Sequence, residues 1–258
     1  MGGFFSADRG LTFEYQPIVD MKRAGRPAVA VECLARGPRS TPLERPEALL
    51  RFFRERGEAV DLDGFLLFSA LSDASRVPGA PVVSFNVSAA TVVDAGFPAR
   101  LLRLVEGFGM PRGRVVLDVG LPADFPEGNR LAAHARLLRS EGLAVCFDEE
   151  GPFASSFPLL VDAAPDFLKL YGPLVRGLRR DAWTARALEA ACALGRKIGY
   201  RVVAEGVESQ EDLETVFWFD VELGQGNFLA PPVSRAALRL PEKVSPEQRS
   251  SWSGFYSR

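Results

Sequence analysis

Histidine is nearly absent from this sequence: His134 is the single one in 258 residues. That excludes metal centres and catalytic triads built on several imidazoles. Cysteine is scarce as well. Cys33, Cys146 and Cys192 are far apart, odd in number and in no CxxC pair, which argues against a disulfide framework or a zinc knuckle. Neither sign of charge is in excess. Lys and Arg total 31 against 33 Asp and Glu, a formal net charge of −2, so composition offers no basic surface for nucleic acid and no acidic tail. No apolar run approaches the roughly 20 residues of a membrane span, and the opening MGGFFSADRG is too short and polar for a secretory signal. Gly2 with Ser6 fits only the short M-G-x-x-x-[ST] acylation pattern. A cytoplasmic location is the expectation. Any catalysis must be run by carboxylates, amides and lysines.

The composition is otherwise that of a folded domain, 47 % apolar and 25 % charged. Strand-length apolar runs recur at Val29 to Val31, Val82 to Val87, Arg114 to Asp118, Leu143 to Phe147, Phe167 to Leu170 and Val202 to Ala204. Between them lie segments with apolar residues three and four apart: Glu47 to Arg56, Phe65 to Leu71, Pro98 to Phe108, Arg130 to Ser140 and Trp183 to Ile198. Alternation of this kind predicts a parallel sheet covered by helices. About seven or eight units fit, so a closed (β/α)8 TIM-like barrel is expected, with an open doubly wound sheet as the alternative. The stretch from Leu11 to Leu34 reads as a hairpin, which gives the barrel an antiparallel first strand. The expected organisation is an N-terminal extension at 1–10, a barrel at 11–240 and a polar tail at 241–258 carrying Trp252, Phe255 and Tyr256.

Polar groups stand repeatedly at the C-terminal ends of the predicted strands, which converge on one face of such a barrel. Glu32, Asn86, Asp118, Asp148 with Glu149 and Glu150, Lys169, Glu205 with Glu208, and Gln225 each follow an apolar run. Any one alone reads as a solvated strand end. Gathered together, the carboxylates repel unless a cation neutralises them. Oxygen-rich sets of this type suit Mg²⁺, Mn²⁺ or Ca²⁺, and a pair of such ions can clamp a phosphodiester.

These stretches, in this order, resemble the EAL domain, the cyclic-di-GMP phosphodiesterase family. The matching segments are Tyr15-Gln16-Pro17-Ile18-Val19, Val31-Glu32-Cys33-Leu34-Ala35-Arg36, Ser84-Phe85-Asn86-Val87-Ser88, Val116-Leu117-Asp118-Val119, Phe147-Asp148-Glu149, Asp166-Phe167-Leu168-Lys169, Val203-Ala204-Glu205-Gly206-Val207-Glu208-Ser209 and Gly224-Gln225-Gly226. The resemblance implies an EAL-type barrel. It implies metal ligands at Glu32, Asn86, Asp118, Asp148, Glu149 and Glu205, with Mg²⁺ or Mn²⁺ as cofactor and Ca²⁺ as a further possibility. Glu205 and Lys169 would be the catalytic pair, and Gln16, Leu34, Arg36, Glu208 and Gln225 the nucleotide contacts.

The sequence also departs from that family. Asp118 stands where glutamate is usual and Glu149 where aspartate is usual. Each swap moves a carboxylate by about 1.5 Å, one carbon–carbon bond, whereas metal–ligand distances tolerate a few tenths of an ångström. Glu150-Gly151-Pro152-Phe153 replaces the usual loop. Leu121 replaces a loop-pinning glutamate, Tyr171 an aspartate and Asn227 an aromatic. A degenerate member is therefore expected: a cyclic-di-GMP receptor or protein-interaction adaptor with little or no phosphodiesterase activity. An active phosphodiesterase and a protein-only scaffold are the alternatives. No cyclase, sensory or helix-turn-helix signature is read, so a stand-alone domain acting through a protein partner is expected, with a homodimer left open.

Overall fold

A computed structural model describes residues 10–77, 81–122, 125–149, 157–170, 172, 175 and 181–239; of Glu149 it describes the backbone alone. The expected N-terminal extension, except Gly10, and the whole aromatic tail lie outside these residues. So do Glu150, Pro152 and Tyr171.

The hairpin forms as expected: β1 (Thr12–Asp20) runs antiparallel to β2 (Ala28–Arg36). There follow β3 (Val82–Ser88), β4 (Val115–Leu121), β5 (Ala144–Glu149), β6 (Phe167–Leu170), β7 (Arg201–Ala204) and β8 (Leu223–Gly224). Each strand from β2 to β8 pairs in parallel with the next. β1 then pairs antiparallel with β8 as well as with β2, so the sheet closes. That closure sets aside the open doubly wound alternative. A short ninth strand, β9 (Val233–Ser234), adds to the outer half of β1.

Helices α1 (Pro46–Arg54), α2 (Ala59–Ala74), α3 (Ala89–Val92), α4 (Phe97–Gly107), α5 (Gly128–Ser140), α6 (Phe157–Ala163), α7 (Ala182–Ile198) and α8 (Gln210–Trp218) accompany the strands. Local chemistry sets their ends. In α1 proline occupies the first turn, where its missing N–H costs nothing. The Asp181 carboxylate caps α7 by accepting from the N–H groups of Trp183 and Thr184, and Gly199 ends it with φ of 99°. α2 starts well before the expected Phe65. Its apolar stripe is blurred, because Asp63 is buried while Val60 and Phe68 are exposed.

Strand alternation builds two cores. Residues such as Phe85, Leu117, Val119, Phe147 and Leu168 point outward and pack under the helices. Ile18, Ala30, Val82, Val116, Ala144, Cys146, Phe167, Val203 and Leu223 point into the barrel and fill its lower half. The next positions up the same inward rows are Gln16, Glu32, Ser84, Asp118, Asp148 and Lys169, so the polar set rests on an apolar plug.

The end of β3 is held by Asp63. Its carboxylate accepts hydrogen bonds from Ser88 N–H at 2.9 Å and from the Ser88 and Thr91 hydroxyls at 2.6 Å each. Asp63→Ala would leave these donors unsatisfied around a buried position. The expected loss is about 2 kcal/mol in urea denaturation. An unchanged midpoint would mean that water replaces the carboxylate without cost.

Candidate functional site at the barrel mouth

Lys169 is the centre of the site. It projects from β6 into the barrel and is 1 % exposed. Its Nζ lies 2.5 Å from Asp118 Oδ2, 2.9 Å from Glu205 Oε1 and 3.0 Å from Glu32 Oε2. Removing an ammonium from water costs several kcal/mol unless opposite charges surround it. Burial alone would pull its pKa down, but Asp118, Glu205, Glu32 and Asp148 together carry it well above the usual lysine value.

The carboxylates differ among themselves for physical reasons. Burial pushes the Glu32 carboxyl up, yet Lys169 and hydrogen bonds from two amides bring it below its usual range. Those amides are Asn86 Nδ2 and Gln225 Nε2, each 2.6 Å from Glu32. Asp118 is fully buried, and desolvation outweighs the pull of Lys169, so its carboxyl is held above the ordinary range. Asp148 is pushed up to about 8 by burial and then by the charge of Glu205. Glu205 is likewise raised, by burial first. Four carboxyl groups thus face one ammonium, and with all four ionised the site would hold more negative charge than that ammonium neutralises.

This imbalance bears on metal binding. Asp118 Oδ1 is buried with no hydrogen-bond partner among the described residues. Carboxylates and an amide around surplus negative charge fit a hard divalent cation. Glu32, Asn86, Asp118, Asp148 and Glu205 are the residues that would hold it. As the side chains stand, no group of three or more Asp, Glu, His or Cys among the described residues is spaced to enclose an ion. Lys169 occupies the middle, so a divalent ion would compete with an internal ammonium for the same three carboxylates.

The other expected residues fall around the rim. Gln16, on β1 opposite Glu32, accepts from Gln225 Nε2 at 3.0 Å and donates to the Ala230 carbonyl at 3.3 Å. Gly226 lets Gln225 sit there, because a Cβ at Gly226 would collide with the Val207 backbone. Leu34 is half-buried on β2. Arg36 pairs with Glu14. Glu208 is exposed and accepts from Asn227 Nδ2 at 3.0 and 3.3 Å, so the asparagine that replaces the usual aromatic holds a ligand-contact candidate instead. Leu121 is 2 % exposed within the outer core and opposes Glu149 in the strand register, where it offers no acceptor. The Glu149 side chain lies outside the described groups.

Two members were missed from sequence. Ser84 donates to Asp118 Oδ2 at 3.3 Å, and Glu14 engages Arg36. Both stand two residues before an expected site residue, Asn86 and Gln16, and a period of two would have found them.

The EAL domain family model matches residues 5–232. Among relatives, the probable cyclic di-GMP phosphodiesterase PdeG of Escherichia coli K12 is 24 % identical over 224 residues, 85 % of this chain and 44 % of that protein. The chain therefore spans less than half the length of that relative. An uncharacterized protein of Mycobacterium tuberculosis H37Rv is 30 % identical over 235 residues, 85 % of this chain and 74 % of that protein. The EAL enzyme Bd1971, solved with cAMP and cyclic-di-GMP bound, superposes with a TM-score of 0.79 at 20 % identity, over 89 % of this chain and 64 % of that one. With residues 5–232 matched by one family model, most of its length, this chain belongs to the EAL domain family.

Proposed function

We propose that this chain is a cyclic-di-GMP-binding EAL domain, a receptor or interaction adaptor with little or no phosphodiesterase activity. The observation that carries this reading is Asp118. Its carboxylate is fully buried, lies 2.5 Å from Lys169 and also accepts from the buried Ser84 hydroxyl. A group so placed is engaged as counter-ion to the lysine and would have to give up that short contact to serve as a ligand at the mouth. Catalytic groups need to be held within about half an ångström of productive geometry. Gln16, Leu34, Arg36 and Glu208 around the rim, with Gln225 buried beneath them, would be the nucleotide contacts.

One observation favours the active alternative: Glu205, Glu32, Asn86 and Lys169 are assembled together. A bound Mg²⁺ or Mn²⁺ would supply Lewis-acid polarisation of the phosphodiester. Glu205, whose carboxyl burial raises, would be the group that takes a proton from water, with Lys169 2.9 Å away to orient it.

Calorimetric titration of cyclic-di-GMP, first in Mg²⁺ and again in Mn²⁺, separates the readings. The expected result is a saturable heat that returns to baseline after each injection. Sustained heat with linear dinucleotide as product would establish an active enzyme. Silence, matched by a second binding method, would leave a protein-only scaffold.

A further inference from the structure

The geometry points to Glu14 as a built-in competitor for the ligand phosphate at Arg36, so that one ion pair sets how tightly this domain holds a cyclic dinucleotide. The inference rests on the nucleotide reading above and goes beyond it in naming a residue that opposes binding.

Register places the pair. Thr12 opposes Arg36, Glu14 opposes Leu34 and Gln16 opposes Glu32 across the first hairpin. Alternation puts Glu14 and Gln16 on one face of β1, and Glu32, Leu34 and Arg36 on the matching face of β2. Glu14 and Arg36 therefore stand above the carboxylate cluster, at the barrel mouth. Glu14 Oε2 takes both Arg36 Nε and Arg36 Nη2 at 2.9 Å, and Arg36 Nη1 donates to the Ala35 carbonyl at 3.3 Å. One complete edge of the guanidinium is thus spent on an internal carboxylate. That edge offers the parallel donors with which arginine grips a phosphate.

The pair is accessible. The Arg36 side chain is 24 % exposed and that of Glu14 is 39 % exposed. A cyclic dinucleotide brings a phosphodiester anion to Arg36. Either Glu14 yields the edge, or two like charges share one cation. Both routes weaken binding without removing any ligand contact.

The test is binding of cyclic-di-GMP, in Ca²⁺-containing buffer, to the full chain and to Glu14→Gln, Arg36→Ala and the double variant. Glu14→Gln keeps the shape and removes the charge. It is expected to bind about two- to fivefold more tightly, the order of one partly exposed ion pair. The gain should vanish when Arg36→Ala is added. A purely structural role for Glu14 would give the opposite sign, because loosening the hairpin weakens the site. Unchanged or weaker binding by Glu14→Gln, with the unaltered chain still binding, overturns this inference and leaves the nucleotide reading intact. A gain that persists without Arg36 also overturns it, since general charge relief would then suffice. Absence of binding in both the unaltered chain and Glu14→Gln overturns the inference together with the reading beneath it.

Discussion

Lys169→Met is expected to destabilise the folded chain by about 3–5 kcal/mol at pH 8, the cost of stripping a buried cluster of its counter-ion. Methionine fills much of the lysine volume, so the loss reports charge rather than a cavity. Asp118, Glu205 and Glu32 would lose an ammonium at 2.5, 2.9 and 3.0 Å. The sign of the pH dependence follows from the carboxyl shifts. Asp118, Asp148 and Glu205 are raised in the folded chain. A raised carboxyl binds its proton more tightly folded than unfolded. The stability it contributes is fully present below the ordinary carboxyl value and is lost as pH rises through the folded one, about 8 for Asp148. Glu32 runs the other way: its lowered carboxyl contributes stability above the ordinary value that is lost in acid. The deficit of Lys169→Met should therefore be largest at pH 8 and shrink toward pH 5, where protonation replaces the missing cation. Urea denaturation of both proteins at the two pH values measures it. An equal loss at both would contradict the charge account. Millimolar Mg²⁺ should recover more stability in the variant than in the unaltered chain, because the ion no longer competes with Lys169.

The second large effect is a gain. Asp118→Glu combined with Glu149→Asp returns both carboxylates to the reach usual in the family that this chain resembles. Misplacement of a reacting group by about 1 Å costs on the order of a hundredfold in rate. The double variant is expected to form linear dinucleotide about ten- to a hundredfold faster than the unaltered chain in Mn²⁺, measured by chromatography. Asp118→Glu alone should give part of that gain, by freeing the carboxylate from its buried contact with Lys169. If the double variant is no faster, the lesion lies elsewhere. Leu121, which opposes Glu149 without an acceptor to offer, is then the next residue to change.

Much of this molecule was legible in advance. The alternation of apolar runs with amphipathic segments specified helices around a parallel sheet, and the Leu11 to Leu34 stretch specified an antiparallel entry. β9 was not legible. It is two residues long and exists because the outer half of β1 offers unpaired backbone groups to Val233 and Ser234. The full length of α2 was hidden by Asp63, a buried polar residue on a helix that also exposes Phe68. Its burial makes sense only once Ser88 and Thr91 are brought to it.

The site divides in the same way. Each functional side chain could be named from its own segment, because a polar residue closing an apolar strand is a local signal. Contacts between segments are not local. That Lys169 reaches Asp118, Glu205 and Glu32 at once depends on closure of the sheet and the stagger of four strands. That Asn227 holds Glu208, or that Glu14 occupies an edge of Arg36, depends on which residues face each other after closure. Local periodicity thus determined the barrel and its polar end. Strand register and side-chain length decided the charge balance at its mouth, because Coulomb interactions depend on distances of a few ångströms between residues far apart in the chain.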